Sequence, residues 1–167
     1  MQINKIVIIF LFLLIYNSSL IAKNKIGSDS GNPIPRFVSI KSSEANLRVG
    51  PDTDYPIILK YIMQNIPLKV EDEFDKWRKI IDSKNNIGWV HVSLLSNKRY
   101  GIIEEKFDGY VNMLKKPNGS VVGSIGSGNI VKLKKCEDNW CLIMYEKYEG
   151  WIKNNHIWGL LNNENFD

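Results

Sequence analysis

The chain has 167 residues, 44% of them hydrophobic, with a formal net charge of +4. That charge is uneven: residues 36–99 hold eleven basic and eight acidic side chains, and residues 100–167 hold eight basic and nine acidic. An acidic polymer or a membrane surface is compatible with this, but the charge is too weak to argue for nucleic acid, and solvated surface lysines account for it.

The N-terminus reads as a targeting segment. Lys5 precedes an apolar run from Ile6 to Tyr16, followed by polar Asn17-Ser18-Ser19 and a small residue, Ala22. Eleven apolar residues suit a signal-peptide core and fall short of the roughly 20 needed to span a bilayer. Residues 1–22 are therefore expected to direct export, with an uncleaved anchor as the alternative and the only expected route to a membrane. Residues 23–35 are polar and punctuated by Gly and Pro, and are expected to form a flexible linker.

Strand signals dominate from residue 36 onward. Phe37 to Ile40 is β-prone, and in Asn46-Leu47-Arg48-Val49 alternation puts Leu47 and Val49 on one face and Arg48 on the other. Gly50-Pro51-Asp52 breaks that strand. Strands are expected at Pro56–Ile62, Ile66–Glu71, Trp77–Ile81 and Ile87–Val92, with Asp72 to Lys76 as a charged turn. In the second half Pro117-Asn118-Gly119 is a turn. Val121-Val122, Ile130–Leu133, Trp140–Tyr145 and Gly150–Lys153 are strands there. No amphipathic helix of ten or more residues is apparent.

Two patterns repeat along this series. The first is Asn46 to Pro51, then Trp77, then Gly88-Trp89-Val90; the second is Asn112 to Pro117, then Trp140, then Gly150-Trp151-Ile152. The Asn-to-Pro spacing is five in both, and the Trp-to-Trp spacing is 12 and then 11. A repeat near sixty residues long is one small domain duplicated rather than a solenoid unit. Short strands separated by turns point to an all-β architecture of two small barrels or sandwiches. The expected division is a first domain at 36–98, a connector at 99–108, a second domain at 109–160 and a polar tail at 161–167.

Cys136 and Cys141 flank a predicted hairpin turn, close enough for a disulfide that an exported chain would keep. A metal site would want more ligands than two cysteines and two histidines supply, so no metal or cofactor is expected. A redox pair would favour Cys-x-x-Cys spacing, and nothing places His91 or His156 as the base of a catalytic cysteine. Asp72, Glu73 and Asp75 share a charged turn without the apolar setting that would make an acid/base dyad. No catalytic residue is assigned.

These residues together resemble the bacterial SH3-like (SH3b-type) proteins, in an exported two-repeat form. In the first repeat the resemblance rests on Asn46 to Pro56, Pro67 to Val70, Glu73 to Ile80, Gly88-Trp89-Val90-His91 and Ser93-Leu94-Leu95. In the second it rests on Cys136 to Cys141, Gly150-Trp151-Ile152 and Ile157-Trp158-Gly159, so that it covers about residues 36–160. The family implies two tandem small SH3-like β-barrels used for targeting or binding, with peptidoglycan peptides or partner proteins as ligands. The second repeat departs from the pattern: Leu114 stands where the motif has arginine, and Lys115-Lys116 replaces Val-Gly. A ligand role tied to Arg48 and Gly50 does not transfer to it.

The candidate ligand-binding residues are Arg48, Asp52, Tyr55, Trp77 and Trp89. Gly50, Pro51, Gly88, Trp140, Gly150 and Trp151 are candidates for structural roles. Trp89 and Trp151 pack over a core or offer a ligand platform, with packing the simpler reading. Trp77 and Trp140 follow charged turns and are expected to be partly exposed, stacking on a ligand or covering a barrel mouth. Arg48 can grip a carboxylate in bidentate fashion or pair internally with Asp52 or Asp54. The sequence thus points to an exported, non-catalytic binding module of the periplasm or cell envelope that recognises peptidoglycan or an envelope protein. The alternatives are a structural protein associating through its barrels and an accessory subunit of a cell-wall hydrolase. An autonomous hydrolase would need about a hundred further residues.

Overall fold

The computed structural model describes residues 25–104, 109–162 and 164–167. The expected signal segment, residues 1–22, lies outside them. A short hairpin comes first, β1 (Lys25–Ile26) and β2 (Pro33–Ile34). The first repeat contains β3 (Arg36–Ile40), β4 (Ala45–Arg48), β5 (Ile57–Tyr61), β6 (Pro67–Phe74), β7 (Trp77–Ile81), β8 (Ile87–His91) and β9 (Leu95–Ser96). The second contains β10 (Tyr100–Ile103), β11 (Tyr110–Leu114), β12 (Val121–Gly126), β13 (Ile130–Glu137), β14 (Trp140–Tyr145), β15 (Tyr148–Lys153) and β16 (Ile157–Trp158).

The two repeats share one topology. The first sheet runs β5-β4-β8-β7-β6-β3-β9 and the second β12-β11-β15-β14-β13-β10-β16. Each position in the second order is the strand seven places later in the chain. The bulges match as well, falling between Leu47 and Arg48 and between Met113 and Leu114. Each sheet curls around its own core, because its seven strands all contribute inward side chains to a single cluster. Leu47, Leu68, Val70, Ile80 and Val90 are fully buried in the first, as are Ile103, Val131, Cys141 and Ile143 in the second. The barrels expected from the sequence are open sheets, however. β9 and β16 have two residues each, too short to bridge to the opposite edge.

Glycine sets the bend within each sheet. β4 meets β8 at one pair, Arg48 with Trp89, and β11 meets β15 at Leu114 with Trp151. A Cβ on Gly88 would lie 2.6 Å from the Arg48 carbonyl oxygen and 2.8 Å from Leu47. One on Gly150 would lie 2.8 Å from the Met113 Cβ. The glycine of each Gly-Trp pair thus lets two strands approach across a sharply curled seam.

Three segments differ from the expectation. β6 continues through the predicted charged turn to Phe74, so that only Asp75 and Lys76 form the loop. Asp75 takes a φ of +46°, and Asp138 at the matching turn takes +47°, the left-handed geometry of a tight hairpin. Val49 leaves β4 and is exposed rather than sharing the buried face of Leu47, because the bulge intervenes. Within the stretch 99–108 expected as a connector, residues 100–103 form β10, with Ile103 fully buried in the second core.

The described residues on either side of the repeats are also ordered. Ile34 of the polar lead-in is 2% exposed and joins the first core. The turn between β1 and β2 lies over the buried carboxylate of Glu73, which accepts bonds from the Ser30 N–H (2.9 Å), the Asp29 N–H (3.2 Å) and the Ser30 hydroxyl (2.7 Å). At the other end Phe166 exchanges backbone bonds with Cys136, and its side chain packs on the second core. The two terminal segments cap matching hairpins. Glu73 faces Arg78 across the β6–β7 hairpin as Cys136 faces Cys141 across β13–β14. A buried ion pair and a disulfide therefore close the same place in the two repeats.

The repeats touch through aromatic and cationic groups. Phe37 of the first and Trp158 of the second meet edge to face at 5.1 Å between centroids. The Arg99 guanidinium grips Glu164 with two nitrogens, bonds the Gly159 carbonyl at 2.9 Å and lies over the rings of Phe37 and Phe166. Burial raises the Glu164 pKa, but the Arg99 bonds outweigh it and hold the carboxyl below its ordinary value.

Candidate functional site

Strand register assembles a site on the outer face of the first sheet. Arg48 of β4 lies opposite Ile57 of β5 on one side and Trp89 of β8 on the other. Trp89 in turn lies opposite Lys79 of β7, and Lys79 opposite Asp72 of β6. Successive strands thus place Ile57, Arg48, Trp89, Lys79 and Asp72 in one transverse row. Their sequence neighbours Leu47, Val90, Arg78 and Ile80 are buried, which fixes the row on the opposite, outward face. Two cations therefore flank one half-buried indole, with strand spacing setting Arg48 and Lys79 about 10 Å apart at the backbone.

The loop after β4 holds Arg48 in place. Its guanidinium donates to the Tyr55 carbonyl at 2.7 Å, and the Val49 N–H bonds the Pro56 carbonyl at 3.1 Å. The internal partner of Arg48 is therefore a main-chain oxygen rather than the carboxylate of Asp52 or Asp54. Its remaining donors have no carboxylate partner among the described residues. Asp52 instead caps its own turn, accepting from the Asp54 N–H at 3.1 Å and the Thr53 hydroxyl at 3.2 Å. Those bonds, led by the one from Asp54, lower its pKa. The ring of half-exposed Tyr55 covers Gly50, where a Cβ would come within 2.6 Å of it. Gly50-Pro51 is thus a floor for Tyr55, beside Arg48.

Trp77 is not the partly exposed ring expected from its charged turn. It is 9% exposed and meets the His91 ring edge to face at 5.2 Å. Trp77 and His91 face each other two residues along the strands from Lys79 and Trp89, so Trp77 supports the site's border rather than offering a free face. Trp140 occupies the matching position in the second repeat, half-buried, opposite Lys153, whose ammonium lies 5.7 Å from its ring.

The second repeat builds the same row from different side chains. Val121, Leu114, Trp151, Leu142 and Lys135 follow one another across its strands. Leucines replace both cations beside the tryptophan, so the flanking charge belongs to the first repeat alone. Trp89 and Trp151 both stand outside the cores over which they were expected to pack. Lys79 and Ile57 were not singled out from the sequence. The period-2 alternation of β7 marks Lys79 as outward, but only the register places it beside Trp89.

A second feature was not legible in the sequence. A cleft of about 620 Å³ lies between the repeats, with Leu59, Tyr61 and Ile66 on one wall and Ile130 and Tyr145 on the other. Asp82, 6% exposed, accepts from the Tyr61 hydroxyl at 3.1 Å and the Asn86 side-chain amide at 2.8 Å. Burial, then the Asp82 charge, pushes the Tyr61 phenol well above its ordinary pKa.

The bacterial SH3 domain family matches residues 41–97 and 108–159, and this chain belongs to it. No curated protein matches the chain. Among solved structures it is similar to that of NlpC1 from Trichomonas vaginalis, at 12% identity and a TM-score of 0.33, over 79% of this chain and 48% of that one. NlpC2 from the same organism is similar at 10% identity and a TM-score of 0.33, over 74% of this chain and 48% of that one. The chain therefore spans about half the length of those two structures.

Proposed function

We propose that this protein is an exported, non-catalytic binding module of the bacterial cell envelope, and that its first repeat holds peptidoglycan or an envelope protein through the outer face of its sheet. The observation that carries this reading is the row Arg48–Trp89–Lys79. An indole between two cations suits a sugar or peptide that carries carboxylates: the ring stacks, and the guanidinium and ammonium meet the negative groups. Membership of the bacterial SH3 domain family supports a binding role. The Cys136–Cys141 disulfide supports an oxidising compartment, and the apolar run after Lys5 supports export.

Co-sedimentation of the purified chain with isolated sacculi tests the proposal. The chain is expected in the pellet, with retention reduced by added salt and lost on combining Arg48→Ala with Lys79→Ala. No retention above a control protein would count against wall binding, and full retention of the double variant would remove the row from the site.

One observation favours a second, structural reading. The contacts among Phe37, Trp158, Arg99 and Phe166 join the repeats, as an assembly protein that uses domain–domain association would require. Loss of sacculus binding on separating the repeats at this contact, with both sheets still folded, would make that joint part of the function.

A further inference from the structure

Duplication places a carboxylate and a phenol on the two walls of the cleft between the repeats. Asp82 is the fifth residue after Trp77, and Tyr145 is the fifth after Trp140, so matching positions of the two copies supply them. Leu59, Met63, Ile66 and Ile130 make the rest of the lining largely apolar. A cleft of about 620 Å³ at the junction of two domains, apolar with a few polar groups, has the size and setting of a small-ligand site.

Asp82 is 6% exposed, and neutral donors fill its acceptor positions. The Lys84 and Asn86 N–H groups bond Oδ1, both at 2.9 Å; the Tyr61 hydroxyl (3.1 Å) and the Asn86 side-chain amide (2.8 Å) bond Oδ2. These bonds hold the carboxylate but leave its charge unbalanced, because no cation pairs with it among the described residues. Lys84 is the one cation lining the cleft; it is exposed and forms no ion pair among those residues. A buried charge without a counter-charge is costly, and a cation in the cleft lowers that cost. The acceptors open to such a cation are the phenol oxygens. Tyr61 gives its proton to Asp82, and Tyr145 gives its proton to Asn129 Oδ1 at 2.9 Å. Each hydroxyl therefore offers a ligand only lone pairs, and the ligand must bring the donors. The bond to a carboxylate also polarises the Tyr61 hydroxyl and strengthens its oxygen as an acceptor.

We propose that the cleft between the repeats binds a primary ammonium group carried on an aliphatic chain, with the Tyr61 and Tyr145 oxygens accepting its N–H bonds and Asp82 supplying the counter-charge behind Tyr61. An ammonium brings three donors and a positive charge, and the chain behind it lies against Leu59, Met63 and Ile66. An anion meets the wrong charge at Asp82 and no donor at either phenol. A free diamine and a lysine-type side chain of a peptide both carry the required group. This site is separate from the Arg48 row, which attracts anions, and neither depends on the other.

The test is amide NMR of the isotope-labelled full chain, read at Asn86, Asn129 and Ile130. One arm is titrated with cadaverine and the other with Nα-acetyl-lysine methylamide. Saturable shifts are expected, and the arm with the tighter response tells a free diamine from a peptide-borne amine. Nα,Nε-diacetyl-lysine methylamide, which lacks the charge, should cause no shift. Tyr145→Phe removes one acceptor from a half-buried ring and should weaken binding about tenfold. Tyr61→Phe should weaken it at least as much, and Tyr145→Phe serves alone if that buried variant does not fold. Lys84→Gln removes a like charge and should not weaken binding. Absence of saturable shifts in both arms, equal shifts with the diacetylated probe, or unchanged affinity in the phenylalanine variants would overturn the proposal. Saturable binding of glutarate at the same amides, abolished by Lys84→Gln, would also overturn it, assigning the cleft to an anion.

Discussion

Replacing Glu73 with glutamine should unfasten the first repeat. The Glu73 side chain has no exposed surface, and it meets Arg36 at 2.7 Å and Arg78 at 3.4 Å while accepting three bonds from the turn at Asp29 and Ser30. Burial alone would raise its pKa; the Ser30 bonds, then Arg36 and Arg78, outweigh that and bring it from 4.5 to about 2. A native carboxyl depressed by that much stabilises the fold by about 3 kcal/mol above the unfolded value. The cost of breaking a buried ion pair, about 3–5 kcal/mol, points to the same size. Glu73→Gln should therefore lose about 3 kcal/mol at pH 7 in urea unfolding followed by tryptophan fluorescence. The pH dependence has a definite sign. The contribution is complete above about pH 4.5 and is lost as pH falls towards 2, so the gap between the two proteins should close across that window. The turn between β1 and β2 should also lose amide protection in the variant. Glu44→Gln, on an exposed carboxylate, is the control and should change stability by no more than about 0.5 kcal/mol. A loss below about 1 kcal/mol for Glu73→Gln, or a gap that persists unchanged at pH 2, would refute the reasoning.

Three further outcomes are expected. Replacing Cys136 and Cys141 together with serine should destabilise the second repeat by about 2 kcal/mol through the short closed loop, measured by urea unfolding against the oxidised chain. Both sulfurs are buried, so reductant alone should act slowly on the folded protein and quickly once urea is added, as thiol titration would show. Gly88→Ala should cost about 1–3 kcal/mol by forcing β4 from β8, read as a lowered thermal midpoint; an unchanged midpoint would remove the close approach as the reason for glycine there. Trp89→Ala should reduce sacculus retention more than Trp151→Ala while leaving the unfolding midpoint nearly unchanged, because both rings stand outside the cores.

The contrast between the repeats suggests how a duplicated domain divides its work. One backbone topology carries a cation on each side of its outward tryptophan in one copy and a leucine on each side in the other. The hairpin closed by Glu73 and Arg78 in the first repeat is closed by a disulfide in the second, and each is capped by a different end of the chain. Inward pairs of matching positions such as Leu47 and Met113, Ile80 and Ile143, and Val90 and Ile152 stay apolar in both copies, whereas the outward positions and the hairpin closed by Glu73 and Arg78 or by the two cysteines diverge.

Local pattern was enough to reveal the duplication, the all-β class and most strands. Alternation along β4, β7 and β8, the breaks at Gly50-Pro51 and Asn118-Gly119, and the pairing of Cys136 with Cys141 each depend on neighbours a few residues apart. Tertiary structure decided everything that depends on distant partners. The polar lead-in is ordered because its amides find a buried carboxylate 43 residues away. Trp89 lies between Arg48 and Lys79 because three strands align in register, and register is a property of the pairing rather than of any one strand. The cleft between the repeats exists only because Leu59 and Tyr61 of one copy face Ile130 and Tyr145 of the other.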